Sequence, residues 1–335
     1  MKAVRVPKER AEEVRRLAEK LGVKDSRRLI VAKGDFVEIP IVEGAEEFFA
    51  EYEIVEQEEP VFAGKRRLAD YLEELSPGAS KLLRSYKIVG DIILVKIPPE
   101  LEEYKAEIGE ALLSLHRNCK AVWWDRGKEG MRRKPKLELI AGSGSETIHR
   151  ENGCLFKLDV TKVMFSAGNK GERMRIAKLV GDGEVVVDMF AGIGYFSIPI
   201  AVHSKAERIY SIEINPESYA FLLENIRLNN VENVVPILGD AMFVTPEGIA
   251  DRVVMGHIYC QDFLPAAVRA IEREGVVHYH EAVAERAIWR PVERVKRVCS
   301  RMNADCRILN FRKVKNYAPR VFHVVVDAKV TRRRL

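Results

Sequence analysis

Three carboxylates and two glycines stand at spacings suited to a nucleotide-like ligand. Asp188 closes the run Glu184-Val-Val-Val-Asp188, and Met-Phe-Ala-Gly192-Ile-Gly194-Tyr-Phe-Ser-Ile-Pro follows it. The β-branched run reads as a buried strand, and Ala-Gly-Ile-Gly reads as a tight turn into a helix. Glycine lets the main chain approach a ligand closely because it has no Cβ. Glu213 ends the next candidate strand, about twenty residues after the loop, with Ile214 beside it. That is the spacing of a carboxylate that takes both hydroxyls of a ribose. Asp240 lies in Leu238-Gly-Asp-Ala241, placed with Ala241 to meet an adenine amino group.

A dinucleotide is the competing ligand, because an acid at the Glu213 spacing also holds its ribose. The loop here is Gly192-x-Gly194-x-x-Ser197, without the third glycine that packs helix on strand. Asp188 would also repel a pyrophosphate, whereas it attracts the ammonium of an amino-acid-like cofactor. Any one of these acids alone is explained by a solvated strand end. Three in register specify S-adenosylmethionine (AdoMet).

Elements that position such a site follow from the alternation of patterns. After residue 156, strands are expected at Arg208–Glu213, Val234–Leu238, Arg252–Met255, Gly275–His280, Arg307–Phe311 and Val321–Asp327, with helices over 170–181, 195–203, 216–230, 262–273 and 281–303. Pro291 should kink the last helix. Strands alternating with helices favour a parallel sheet covered on both faces, and the last two strands, with no helix between them, should pair antiparallel. The fold class is α/β: a class I AdoMet-dependent, Rossmann-like seven-stranded sheet over 156–331, with a basic tail at 332–335.

Residues 1–155 read as a smaller mixed α/β domain. It has a helix from Arg10 to Leu21, a hairpin around Gly34, an acidic solvated connector over 43–62 and a short helix from Leu68 to Glu74. A long strand follows over 87–97, then a helix from Leu101 to Leu115 and a strand at Ala121–Trp124. Arg126, Lys128, Arg132, Arg133, Lys134 and Lys136 crowd one segment behind Trp123 and Trp124, a composition that suits a phosphate backbone and a stacked base. A basic loop over two core tryptophans fits the same residues.

Bulk composition excludes several classes. The chain has 335 residues, 47% hydrophobic and 31% charged, which fits two globular domains and neither a disordered nor a fibrous chain. No apolar run of about eighteen residues occurs and no apolar signal segment follows the basic start, so a cytoplasmic location is expected. The five cysteines form no Cys-x-x-Cys pair, and His278 and His280 lack companion ligands, so no metal is expected. A net charge of +5 permits a nucleic-acid partner without demanding one.

Upstream of the glycine loop lies Val163-Met-Phe165-Ser166-Ala-Gly168-Asn169-Lys170-Gly-Glu172-Arg173. Ser166 or Asn169 can cap the helix that begins near Lys170, whose free N–H groups suit an anion such as a carboxylate. Together with Asp188-Met-Phe-Ala-Gly-Ile-Gly, Glu213-Ile-Asn-Pro and Asn316-Tyr-Ala-Pro-Arg-Val-Phe-His323, this resembles the tRNA (guanine-37-N1) methyltransferases and their relatives, the wybutosine-synthesis aminocarboxypropyltransferases. The resemblance covers nearly the whole chain, most specifically 160–330. It implies that Phe165, Ser166 and Arg173 join Asp188, Gly192, Gly194, Glu213, Ile214, Asp240 and Ala241 around AdoMet, and that the partner is tRNA.

Two departures choose between the relatives. Methyltransferases of this group carry Phe-Ser-Pro-Arg, with a catalytic arginine where Gly168 stands here. They also carry Asn-(Leu/Pro)-Pro after the fourth strand, where this chain reads Met255-Gly256-His257-Ile-Tyr259. The chain is further expected to begin at the family's middle domain. The resemblance thus implies transfer of the 3-amino-3-carboxypropyl group of AdoMet to 4-demethylwyosine at position 37 of phenylalanine tRNA, at the anticodon loop. Asp188, Ser166 and Arg173 would hold the methionine part with its γ-carbon exposed. His257 and Tyr259 would meet the acceptor base, His257 by taking a proton or by stacking. A guanine-37 methyltransferase and a non-catalytic RNA-binding protein are the alternatives.

Overall fold

The computed structural model describes residues 1–57, 60–62, 67–83, 85–129 and 134–333. Two compact units emerge, Met1–Arg84 and Ser85–Leu335. In the first, four antiparallel strands lie in the order Val31–Lys33, Phe36–Pro40, Lys2–Pro7, Glu53–Glu56. The helix Ala11–Lys20 buries Val14 and Ala18 against Val4, Val6, Ile39 and Phe49. The hairpin around Gly34 forms as expected, whereas the acidic stretch 43–62 is more than a solvated connector. Its residues Glu53–Glu56 pair with Lys2–Arg5, and Phe49 is fully buried. Glutamates at both ends of Glu53-Ile-Val-Glu56 hide a short strand whose Ile54 and Val55 are half-buried.

The second unit begins with a four-stranded sheet, Tyr86–Val89, Ile92–Val95, Ala121–Glu129 and Lys134–Gly142. The single long strand expected over 87–97 is a hairpin instead, turned at Gly90, whose φ is 59°. Ile92–Val95 pairs parallel with Ala121–Trp124, and the helix Lys105–Leu115 packs on Ala121–Glu129 and Lys134–Gly142. The next hairpin, Glu146–Glu151 with Cys154–Asp159, is tied to the following helical layer by two asparagines. Asn229 brackets Leu155 N and O at 2.8 and 2.7 Å, and Asn225 brackets Lys157 N and O at 2.6 and 3.1 Å. These four bonds are one reason why the compact units part after Arg84, while the sequence places a domain boundary at 155.

The seven-stranded sheet comprises Val185–Asp188 (β1), Arg208–Glu213 (β2), Val234–Leu238 (β3), Ala250–Met255 (β4), Ile271–Ala284 (β5), Ala304–Ala318 (β6) and Val321–Arg332 (β7), in the order β3-β2-β1-β4-β5-β7-β6. Strands β1 to β5 are mutually parallel, and β7 runs antiparallel to both β5 and β6. Helices Lys170–Leu179 (α1), Ser197–His203 (α2), Pro216–Leu228 (α3), Ala241–Val244 (α4), Leu264–Ala270 (α5) and Arg290–Arg301 (α6) accompany it. Pro291 does not kink a long helix. It sits in the first turn of α6, where its missing N–H has no intrahelical partner to lose, and residues 281–284 continue β5. The expected tail is also shorter. β7 runs to Arg332, which donates to Arg269 O and Ile271 O at 3.1 and 2.9 Å, while Arg334 lies outside the described residues. No helix among the described residues is long and apolar enough to cross a membrane.

Candidate active site

The switch point of the sheet lies between β1 and β4, where strand order reverses and doubly wound folds bind their ligands. The glycine loop leaves β1 there. Gly192 and Gly194 take φ values of 58° and 98°, in the left-handed region that favours glycine. A Cβ on Gly194 would stand 2.6 Å from Ile198 Cγ1. The loop is held from several sides. Gly192 N donates to Glu213 Oε2 at 2.8 Å, Ala191 N to Ile212 O at 2.8 Å, and Asn225 Nδ2 to Ile193 O at 2.9 Å.

Asp188 is fully buried behind this loop. It accepts from Ser197 Oγ at 2.7 Å and from Phe190 N at 3.3 Å, and Ser211 Oγ donates to Ser197 Oγ in turn at 2.7 Å. Burial pushes its carboxyl up to about 6 against the pull of those bonds. The expected direct meeting with an ammonium is therefore not what the geometry provides, since Asp188 shapes the loop from within. Glu213 is half-buried and also accepts from Asn215 N at 2.7 Å, which fixes the carboxylate beside the loop. Ile214 beside it is 52% exposed, an apolar face next to that carboxylate. Asp240 caps α4 by accepting from Met242 N at 2.8 Å, and Ala241 is buried.

The turn before α1 forms the other wall. Phe165 is a core residue, its ring 4.5 Å from His149 and 5.8 Å from Tyr195 of the glycine loop. Arg173 is 1% exposed and engages Glu151 through two 2.8 Å bonds. Its guanidinium lies 4.9 Å over Phe165 and donates to Ser166 O at 3.1 Å. It thus fixes the turn and does not face the ligand side itself. Neither expected cap is made, because Asn169 offers α1 no side-chain bond and Ser166 Oγ instead accepts from Lys315 Nζ at 2.9 Å. Asn169 Oδ1 is buried without a hydrogen-bond partner. A carboxylate for ribose hydroxyls, an apolar face, an orphaned acceptor and a lysine beside a hydroxyl together fit AdoMet.

An aromatic rim follows β4. His257 lies 5.7 Å from Phe190 and 5.8 Å from Tyr259, and Tyr259 N donates to His257 Nδ1 at 3.3 Å. Tyr259 is 52% exposed, and its hydroxyl meets that of Tyr317 from β6 at 3.0 Å. Gly256 stands against the Phe196 ring, where a Cβ would come within 2.5 Å of Cε2. The structure brings Lys315, Tyr317 and Phe196 to this candidate site, and sequence reasoning did not single them out. The run Lys315-Asn-Tyr317 was the available signal, lying within and beside a quoted motif.

The basic segment differs from its reading. Ala121–Glu129 and Lys134–Gly142 carry it as two paired strands. Trp124 is buried, with the Arg126 guanidinium 4.7 Å over its ring, and Trp123 is half-buried. Arg126 also donates to Glu138 at 3.3 Å. Lys128 and Lys134 lie in the strands, and Arg132 and Arg133 lie outside the described residues.

Comparison with known proteins follows this geometry. Residues 147–309 match the TRM5/TYW2 methyltransferase domain, residues 68–145 the TYW2 N-terminal domain, and residues 3–50 the tRNA methyltransferase 5 N-terminal domain. The last match corrects the expectation that the chain begins at the family's middle domain. Over 250 residues the chain is 46% identical to the tRNA(Phe) (4-demethylwyosine(37)-C(7)) aminocarboxypropyltransferase of Methanocaldococcus jannaschii, spanning 74% of this chain and 98% of that protein. Over 337 residues it is 40% identical to the tRNA (guanine(37)-N(1))-methyltransferase Trm5b of Pyrococcus abyssi, spanning 98% and 99%. The crystal structure of Pyrococcus horikoshii TYW2 in complex with MeSAdo superposes with a TM-score of 0.71 at 38% identity, covering 79% of this chain and 100% of that one.

Proposed function

Because the chain belongs to the TRM5/TYW2 family of AdoMet-dependent tRNA-modifying enzymes, we propose that it transfers the 3-amino-3-carboxypropyl group of AdoMet to C7 of 4-demethylwyosine at position 37 of phenylalanine tRNA. The observation that carries this choice is the pair of glycines where methyltransferases place their arginine and asparagine. Both are packed by other side chains, Gly168 by Lys315 and Gly256 by Phe196. The 46% identity to a named aminocarboxypropyltransferase supports the same reading.

The AdoMet sulfonium supplies the leaving group, and the protein decides which carbon meets the acceptor. The acceptor carbon bonds to the γ-carbon, the γ-carbon–sulfur bond breaks with its electron pair going to sulfur, and methylthioadenosine leaves. The acceptor carbon loses its proton. We assign the main chain at Gly192 and Gly194, with Glu213 and Ile214, to the adenosine, and Asp240 and Ala241 to its adenine edge. Phe165, Ser166, Arg173 and Asp188 set the position of the methionine arm, the arginine and the aspartate by holding turn and loop. His257 and Tyr259 receive the base. Tyr259 offers its ring, and His257, beside Phe190, stacks or takes the proton. Residues 1–155, with Arg126, Lys128 and Lys134, are assigned to tRNA contact, and the enzyme to the cytoplasm.

Incubation with hypomodified phenylalanine tRNA and AdoMet labelled in either the methyl or the carboxyl carbon tests this. Carboxyl label on the tRNA is the expected result. Methyl label would establish the second reading, a methyltransferase, which the 40% identity over 98% of the chain favours. Neither label would leave only an RNA-binding protein.

A further inference from the structure

Lys315 reaches the turn before α1 from β6. Its Nζ donates to Ser166 Oγ at 2.9 Å, and a Cβ on Gly168 would come within 3.1 Å of both its Nζ and its Cδ. The serine oxygen acts as acceptor in that bond, so its own hydroxyl hydrogen is left to be donated onward. The turn is held in place, because Arg173 donates to Ser166 O at 3.1 Å while paired with Glu151. Two further features of the turn bear on a ligand. α1, ten residues long, starts without a side-chain cap, and Asn169 Oδ1 is buried without a partner. A cation, a hydroxyl donor and uncapped N–H groups together suit a carboxylate. An orphaned amide oxygen suits an ammonium. An amino-acid head group presents both charges one carbon apart.

We propose that Lys315 is the positioning residue that binds the α-carboxylate of AdoMet's amino-acid arm, and that Gly168 is glycine because this lysine occupies the space beside it. The proposal rests on reading this edge of the sheet as the AdoMet site. Anchoring the arm at its far end holds the γ-carbon between a fixed carboxylate and a fixed adenosine. Lys315 takes no part in the bond changes, which occur at the γ-carbon, sulfur and acceptor carbon as described above.

Calorimetry on the full chain tests this with AdoMet, decarboxylated AdoMet and methylthioadenosine as three separate ligands. A charge-assisted contact predicts that the wild type prefers AdoMet over its decarboxylated form by roughly 10- to 100-fold. Lys315→Met should erase that preference and leave methylthioadenosine affinity unchanged, which also shows that the variant is folded. Lys315→Arg should restore part of it. A preference that survives Lys315→Met overturns the proposal, as does an equal loss for methylthioadenosine or an arginine that restores nothing. Because these readouts concern binding, they can fail while the carboxyl-label assay succeeds. The labelled assay can likewise fail while they succeed.

Discussion

The two sides of the site, proposed for donor and acceptor, are built in opposite ways. Around the glycine loop nearly every polar group is already engaged. Asp188 is fully buried on Ser197 and Phe190, and Glu213 accepts from both Gly192 and Asn215. At the aromatic rim proposed to receive the acceptor, Tyr259 is 52% and Tyr317 is 38% exposed, and their hydroxyls meet at 3.0 Å. A small ligand of fixed shape is bound best by a cradle that needs no ordering on arrival. A base that arrives attached to a large RNA must enter through an open edge, and aromatic faces accept it without prior alignment.

The contrast is broken most severely at Asp188. Asp188→Ala strips acceptors from the Ser197 hydroxyl and the Phe190 N–H inside the protein, and AdoMet affinity measured by calorimetry should fall by about 100-fold or more. Retained affinity would mean that the loop does not need its buried support. Next comes Gly256→Asn, which drives a side chain into the Phe196 ring. Overpacking of this kind costs about 1–3 kcal/mol, so melting should drop by several degrees. Carboxyl-label transfer should weaken and no methyl label should appear. If methyl transfer does emerge, the missing asparagine alone separates the two activities.

Tyr317→Phe is milder. It removes one rim hydroxyl and should raise the KM for tRNA about two- to tenfold with AdoMet affinity unchanged, because an exposed neutral hydrogen bond contributes modestly. A change in AdoMet affinity instead would show that the two sides are not separately built.

The effect least specific to the ligand site concerns acid stability. Burial holds His323 down to about 4 from its ordinary 6.5, and His280 is also well below that value. Their unfolded forms bind protons first, so the stability of the neutral pair is full above about 6.5 and is lost as pH falls toward 4, at up to about 1.4 kcal/mol per pH unit for each histidine. Asp188, raised to about 6, gives the opposite slope over the range above 3.8. His323→Phe should therefore flatten the loss of melting temperature between pH 6.5 and 4, and Asp188→Ala should steepen it.

The central sheet was readable because each of its elements carries its own periodicity and each loop acid sits a fixed distance along the chain. What escaped reading depends on partners far away in sequence. The Gly90 hairpin is the exception, because Gly90-Asp91 is a two-residue turn signal set between Lys87-Ile-Val and Ile92-Ile-Leu-Val, and reading through it as one strand passed over a local cue. Glu53–Glu56 becomes a strand only by pairing with Lys2–Arg5. Lys315 meets Ser166 across 149 residues and Tyr317 meets Tyr259 across 58, and no spacing rule connects such pairs. Asp188 was correctly placed at the loop, but its orientation depends on Ser197 and Ser211, which local pattern does not reveal.

The contact between Gly256 and Phe196 bears on how the two activities of this family interconvert. With 2.5 Å between a Cβ at 256 and the ring, an asparagine there is penalised until residue 196 shrinks. A smaller residue at 196 adopted first leaves a void beside His280, whose ring packs 5.5 Å from that of Phe196. Either single step is a loss that the other repairs, so the pair should show strong sign epistasis: Phe196→Ala with Gly256→Asn should be far less destabilised than the sum of the singles. A chain carrying glycine and phenylalanine at these positions is thereby penalised for acquiring either change alone.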